Sequence, residues 1–161
     1  MLRHYVENIL PNGFKAQVVA VSRRATLRYR EAFLKARDEL AAEVEQLDPS
    51  LLVLGNEARA ELPERTQFLL RAHAHLQTIK EMEFAPIISG SNNDPPECKE
   101  WTDGAKVEAR IVRFKKPLFH ADSEKRDRLA IIIVKSMLLT GFDAPVEQAM
   151  YLDRFIHQHE L

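Results

Sequence analysis

Thr140, Gly141 and Asp143 crowd into one short turn that closes at Pro145. A threonine hydroxyl can donate to a phosphate oxygen. A carboxylate only accepts, so Asp143 could take a hydrogen bond from a ribose hydroxyl or hold a neighbouring arginine. Glycine has no Cβ, so Gly141 lets the backbone turn sharply and lie close against a phosphate. Far upstream, Ser22 and Arg23 stand just before a helical pattern, where free backbone N–H groups and a cation would suit a second phosphate contact. The turn also has a plainer reading, as a link between two strands that Asp143 caps.

The remaining reactive side chains form no site. His73 and His75 lie two apart, which on a helix puts them on different faces and argues against a shared metal. His157 and His159 have the same spacing near the end of the sequence. Cys98 has no histidine partner nearby and, being alone, makes neither a disulfide nor a cysteine-only metal site. Trp101 reads as a core or covering residue, and Arg24, Arg28 and Arg30 as a solvated helix face. No Gly-x-x-x-x-Gly-Lys-Ser/Thr phosphate loop is present, and no acidic nuclease cluster.

Composition limits the classes further. A chain of 161 residues is enough for one domain with a real core, and 45% hydrophobic with 29% charged residues is ordinary for a globular protein. The formal net charge is −1, from 23 basic and 24 acidic residues. Binding nucleic acid by bulk charge alone calls for a strongly basic domain, so any DNA contact here must be local or shared with other parts of a larger protein. No apolar run approaches a membrane span, and the first residues do not read as a signal peptide, so the expectation is a cytoplasmic protein without membrane contact.

The elements that must position these residues alternate between strand and helix patterns. Apolar, β-branched runs predict strands at 15–22, 84–89, 129–134 and 148–153. The run at 129–134 is apolar throughout, as a strand covered on both faces requires. Between the first two, Tyr29, Phe33, Ala36, Leu40, Val44 and Leu47 recur at steps of three and four, which predicts a long helix capped by Ser22 and stopped at Asp48-Pro49. A second helix is expected over 63–82, with Phe68, Leu69, Ala72, Leu76 and Ile79 inward, and another over 103–114 capped by Thr102. Residues 51–54 read as a short strand or a packed connection. Strands separated by helices predict an α/β fold, a mainly parallel sheet flanked by helices in three layers.

A longer string carries a family resemblance. Met137-Leu138-Leu139-Thr140-Gly141-Phe142-Asp143-Ala144-Pro145, after the 129–134 strand and before Tyr151-Leu152-Asp153, closely resembles the fifth helicase motif of the restriction (R) subunits of type I restriction-modification enzymes. Residues 15–29, with Val-Val-Ala-Val-Ser-Arg, resemble the family's fourth motif. Ile87-Ile88-Ser89-Gly90-Ser91-Asn92-Asn93-Asp94 resembles the strand and turn between the two. Position 136 is Ser where the family has an acidic or amide residue.

The resemblance implies a RecA-like lobe, the second motor lobe of a superfamily-two DNA translocase, filling residues 1–161 as a single incomplete domain truncated at its C-terminal end. It implies that Thr140, Gly141, Asp143, Ser22 and Arg23 face double-stranded DNA and the first motor lobe, which carries ATP and Mg in the parent. Further implied partners are the nuclease domain of the same subunit and the modification and specificity subunits. The arginines of the sixth motif are expected past Leu161, so the isolated chain is expected to hold no nucleotide and to be inactive. The alternatives are the second lobe of another superfamily-two helicase and a non-catalytic α/β binding module.

Overall fold

The computed structural model describes residues 1–91, 94, 96–139 and 142–153. Its strands are β1 (Lys15–Val19), β2 (Glu83–Ile87), β3 (Leu129–Val134) and β4 (Glu147–Leu152). They lie side by side in the order β2-β3-β1-β4, and every neighbouring pair is parallel. All residues of β1 and β3 are buried, as the central strands of a doubly covered parallel sheet must be.

The helices are α1 (Leu2–Asn8), α2 (Arg23–Glu45), α3 (Pro49–Leu52), α4 (Asn56–Ala60), α5 (Glu64–His73), α6 (Leu76–Glu81), α7 (Pro96–Thr102) and α8 (Gly104–Lys115). One face of the sheet takes α1, α2, α5 and α6. There Tyr5, Phe33, Leu40, Val44, Phe68 and Ile79 meet Ala16, Val18, Ile131 and Ile133. The other face takes α8, through Val107 and Phe114, together with the connection that leaves β3. There they meet Val19, Ala85, Ile87, Ile132 and Val134. The strands alternate their side chains between the two cores, and each buried Leu, Ile or Phe contributes about 1.5–3 kcal/mol of burial. The fold is a three-layer, RecA-like α/β architecture.

α2 follows its sequence pattern. Phe33, Leu40 and Val44 are buried and Tyr29, Ala36 and Leu47 pack against the same core. Ser22 caps it in extended conformation, its Oγ accepting from the Ala25 N–H at 3.1 Å.

Other boundaries move. β1 stops at Val19 rather than at residue 22 because Ser22 is spent on the cap, although the Ala20 N–H still donates to the Val134 carbonyl at 2.8 Å. β2 and β4 each begin and end ahead of the expected spans. The helix expected over 63–82 is two, α5 and α6, broken at Ala74-His75, where the His75 ring stacks on Phe119. Residues 51–54 are not a strand; Asp48 caps α3 there. The helix expected over 103–114 is α8, capped by Asp103 and not by Thr102, which ends α7.

Candidate functional site

The strand order sets a point where the connections part. β1 and β3 are neighbours, yet the chain leaves their carboxyl ends toward opposite faces: β1 runs into α2 on the first layer, while Met137, Leu138 and Leu139 after β3 pack on the second. Where neighbouring parallel strands diverge in this way, an open α/β sheet forms its ligand crevice at the strand ends. Ser22 and Arg23 follow β1 and Asp143 follows β3, so the fold brings both loops to the same edge. Asp143 is exposed. Thr140 and Gly141 lie outside the described residues.

Two devices fix the β1 side. The Ser22 hydroxyl satisfies the first turn of α2, and the buried Thr26 hydroxyl donates back to the Arg23 carbonyl at 2.6 Å. Arg23 itself is engaged: its Nη2 pairs with the Asp94 carboxylate from the turn after β2. The other Asp94 oxygen accepts from the Ser91 N–H at 2.8 Å. Burial works to raise the Asp94 carboxyl, but the Ser91 N–H, Arg23 and the Thr102 hydroxyl outweigh it and hold the group below its ordinary value. The Nε of Arg23 is buried without a hydrogen-bond partner among the described residues. Sequence reasoning placed Arg23 at this edge but gave no role to Asp94, which it quoted only as the end of the 87–94 stretch that carries part of the family resemblance.

The β3 side is anchored by packing. Met137, Leu138, Leu139, Phe142 and Ala144 all rest on the second core. The Phe142 ring stacks on Phe114 with centroids 6.2 Å apart, and the Lys115 Nζ lies 5.3 Å from its centre. Leu138 has φ 63, a left-handed conformation that costs a branched residue energy and is kept by its surroundings. At the end of β4, the Asp153 N–H donates to the Val19 carbonyl at 2.9 Å. Burial, more than the nearby Asp153 carboxylate, raises the pKa of the Tyr29 phenol.

Polar groups also lie beneath this connection. Lys15 and Gln17 are fully buried on β1, and the Gln17 amide has no partner among the described residues. Lys15 reaches the Arg113 carbonyl at 3.4 Å and the face of Phe114 at 5.5 Å. Burial lowers its pKa to about 8, against a smaller opposing pull from Asp127. A groove of about 310 Å³ opens at the opposite, amino edge, lined in part by Glu81, Glu83, Arg113, Asp127 and Arg128. Within it Arg113 pairs with Glu83 and Asp127, and Arg128 with Glu81.

Among the described residues no group of three or more His, Cys, Asp or Glu could hold a metal ion. Among the described residues, the carboxyl edge offers a phosphate the N-terminus of α2 and an arginine already paired to an acid. Trp101 packs against the second core with the guanidinium carbons of Arg30 and Arg110 4.7 and 4.4 Å from its ring centre, a covering residue rather than an open stacking platform. No described helix is long and apolar enough to cross a membrane.

Residues 56–161 match the family model described as type I restriction enzyme subunit R domain 3. The chain is 34% identical over 88 residues to the type I restriction enzyme HindI endonuclease subunit of Haemophilus influenzae, covering 54% of this chain and 8% of that protein. It is 29% identical over 149 residues to a Methanocaldococcus jannaschii protein named for the endonuclease subunit of the type I restriction enzyme MjaVIIP, covering 92% of this chain and 11% of that protein. The chain thus spans about a tenth of the length of the curated relatives it matches.

Proposed function

Because the chain belongs to the family of type I restriction enzyme subunit R domain 3, we propose that it forms the second motor lobe of an ATP-driven DNA translocase carried by such a subunit. One observation supports this above the others: the Met137–Pro145 string leaves the carboxyl end of β3 beside the loop that leaves β1, at the point where the sheet's connections diverge. Thr140, Gly141 and Asp143, with Ser22 and Arg23, would then face the first lobe across a seam crossed by double-stranded DNA.

In the parent, ATP and Mg are held chiefly by the first lobe, where they supply the phosphoryl-transfer chemistry. This chain's residues touch DNA backbone and register the nucleotide. The nuclease domain lies in the same subunit, and the modification and specificity subunits complete the assembly in the cytoplasm. The isolated 161-residue chain neither hydrolyses ATP nor cuts DNA.

The test is Asp143→Ala in a full-length R subunit carrying this domain. DNA-stimulated ATP hydrolysis and translocation should fall at least tenfold, with melting temperature unchanged, because an exposed carboxylate costs within ~0.5 kcal/mol of stability. Undiminished translocation by the variant overturns the assignment. Loss of folding would instead assign Asp143 to holding its turn.

A further inference from the structure

The charges of α2 are arranged against its own dipole. A helix favours acids in its first turn and cations in its last. α2 has no acid in its first turn and no cation in its last. Arg23, Arg24 and Arg28 lie within its first six residues, and Asp38, Glu39, Glu43 and Glu45 within its last eight.

At the carboxyl end the adverse charges find partners inside the fold. Glu43 pairs with Arg65 and Glu45 with Lys80, each at 2.6 Å. At the amino end Arg23 pairs with Asp94. Arg24 and Arg28 have no such relief. Both are exposed, and among the described residues neither makes an ion pair, a side-chain hydrogen bond or a ring contact. Glu31, three residues on from Arg28, engages neither. The two arginines stand four apart, which stacks their side chains on one helix face with about 5–6 Å between Cβ atoms, and like charges at that spacing destabilise a helix. Lys135, one residue past β3, is a further exposed cation without an ion pair at the same edge of the sheet.

A pair that repels itself, opposes the helix dipole and has no partner within the fold is matched to a polyanion outside it. We propose that Arg24 and Arg28 hold the phosphate backbone of double-stranded DNA. The inference rests on the proposed function for the identity of the polyanion and adds to it the residues that carry the contact, beside an Arg23 that Asp94 restrains. One strand of a duplex carries a charge every ~3.4 Å of axis, so both guanidiniums can meet phosphates of the same strand. Each can do so bidentately. Such contacts position DNA without reading its sequence. The guanidinium pair is the site, not the backbone of the first turn, which Ser22 caps. It also supplies the local contact that a chain of net charge −1 requires.

Binding of a short labelled duplex by the purified chain at low salt, read by fluorescence anisotropy, needs neither ATP nor translocation. Its outcome is therefore separate from that of Asp143→Ala: a DNA contact can stand where the motor assignment fails, and the reverse. Arg24→Gln combined with Arg28→Gln should weaken binding roughly tenfold or more and flatten the slope of log affinity against log salt by about two. Duplexes of unrelated sequence should lose equally. Arg126→Gln, which removes an exposed cation beside the groove at the amino edge, should change neither affinity nor slope. The melting temperature of the double variant should hold or rise, since the lost charges oppose the helix; a fall would make the pair structural and overturn the proposal. So would a wild-type chain that does not bind the duplex, or a double variant that keeps the wild-type slope. Polyglutamate that competes as well as unlabelled DNA would assign the pair to an acidic protein surface and overturn it equally.

Discussion

Arg23, on the first turn of α2, is ion-paired to Asp94 in the turn that follows β2, so two loops at the carboxyl edge are fastened to each other by one contact. The guanidinium proposed to meet a DNA phosphate is therefore already neutralised in the free chain. A phosphate would have to compete with Asp94 for it.

Asp94→Asn should release that competition. Binding of a short duplex by the isolated chain at low salt, read by fluorescence anisotropy, should tighten several-fold. The slope of log affinity against log salt should steepen by about one phosphate contact. Adding Arg23→Ala to Asp94→Asn should cancel the gain. An unchanged affinity in the single variant would remove Arg23 from the DNA surface.

Ser22→Ala deletes the only side chain that caps α2 and should destabilise the fold by about 1 kcal/mol, read as a lower urea midpoint at constant slope. Ser22→Asp supplies another acceptor at the same position and should restore most of the loss. Equal stability of the alanine variant would mean that the cap contributes nothing beyond the solvent it displaces.

Lys15 gives a pH-dependent prediction. Its folded pKa lies at about 8, below the ordinary 10.5, so between those values the unfolded chain holds a proton that the folded chain has released. Stability contributed at this site therefore rises with pH from about 8 to 10.5 and is withheld at neutral pH. Lys15→Met should raise the melting temperature at pH 7, with a gain of up to about 3 kcal/mol. That advantage should shrink as pH climbs toward 10. A gain independent of pH would place the effect in packing rather than charge.

Glu147 carries the opposite sign. Burial lifts its carboxyl from 4.5 to about 7, so the folded state holds the proton more tightly than the unfolded state. The contribution is fully present below pH 4.5 and is lost as pH rises through 7. Glu147→Gln should match the wild type near pH 4 and exceed it at pH 8 by about 1–2 kcal/mol, the lower end favoured by the group's partial exposure. Thermal melts at the two pH values decide it.

The parts of this fold that periodicity exposed are those where one local pattern dominates. The apolar run at Leu129–Val134 admits only a doubly buried strand, and the Phe33, Leu40 and Val44 spacing admits only one helix face. What stayed hidden was decided by distant partners. Thr102 and Asp103 are both good caps, and the choice falls to Asp103 because Thr102 is the last residue of α7, leaving Asp103 in extended conformation to accept from the Lys106 N–H. The break between α5 and α6 falls at His75, whose ring meets Phe119 some forty residues on. α1 is too short to be stable alone. Burial of Leu2, Tyr5 and Val6 holds it, with ion pairs from Arg3 to Glu64 and from Arg71 to Glu7. At the candidate site, the loop string was readable from residue types, whereas its juxtaposition with Ser22 depended on a strand order that no local pattern encodes.

That strand order also governs when the protein can fold. Of the four strands β1 is made first, yet both of its hydrogen-bonded neighbours, β3 and β4, come last; Ala16 aligns with Ile131, about 115 residues further along the chain. Such distant pairing is slow, because loop entropy is lost before any contact compensates it. During synthesis the nascent Lys15–Val19 segment must wait unpaired while α2 and the later helices form beside it. The first of these four strands to be synthesised is thus among the last to find its place, and the β1–β3 pairing is where we expect this domain's folding rate to be set.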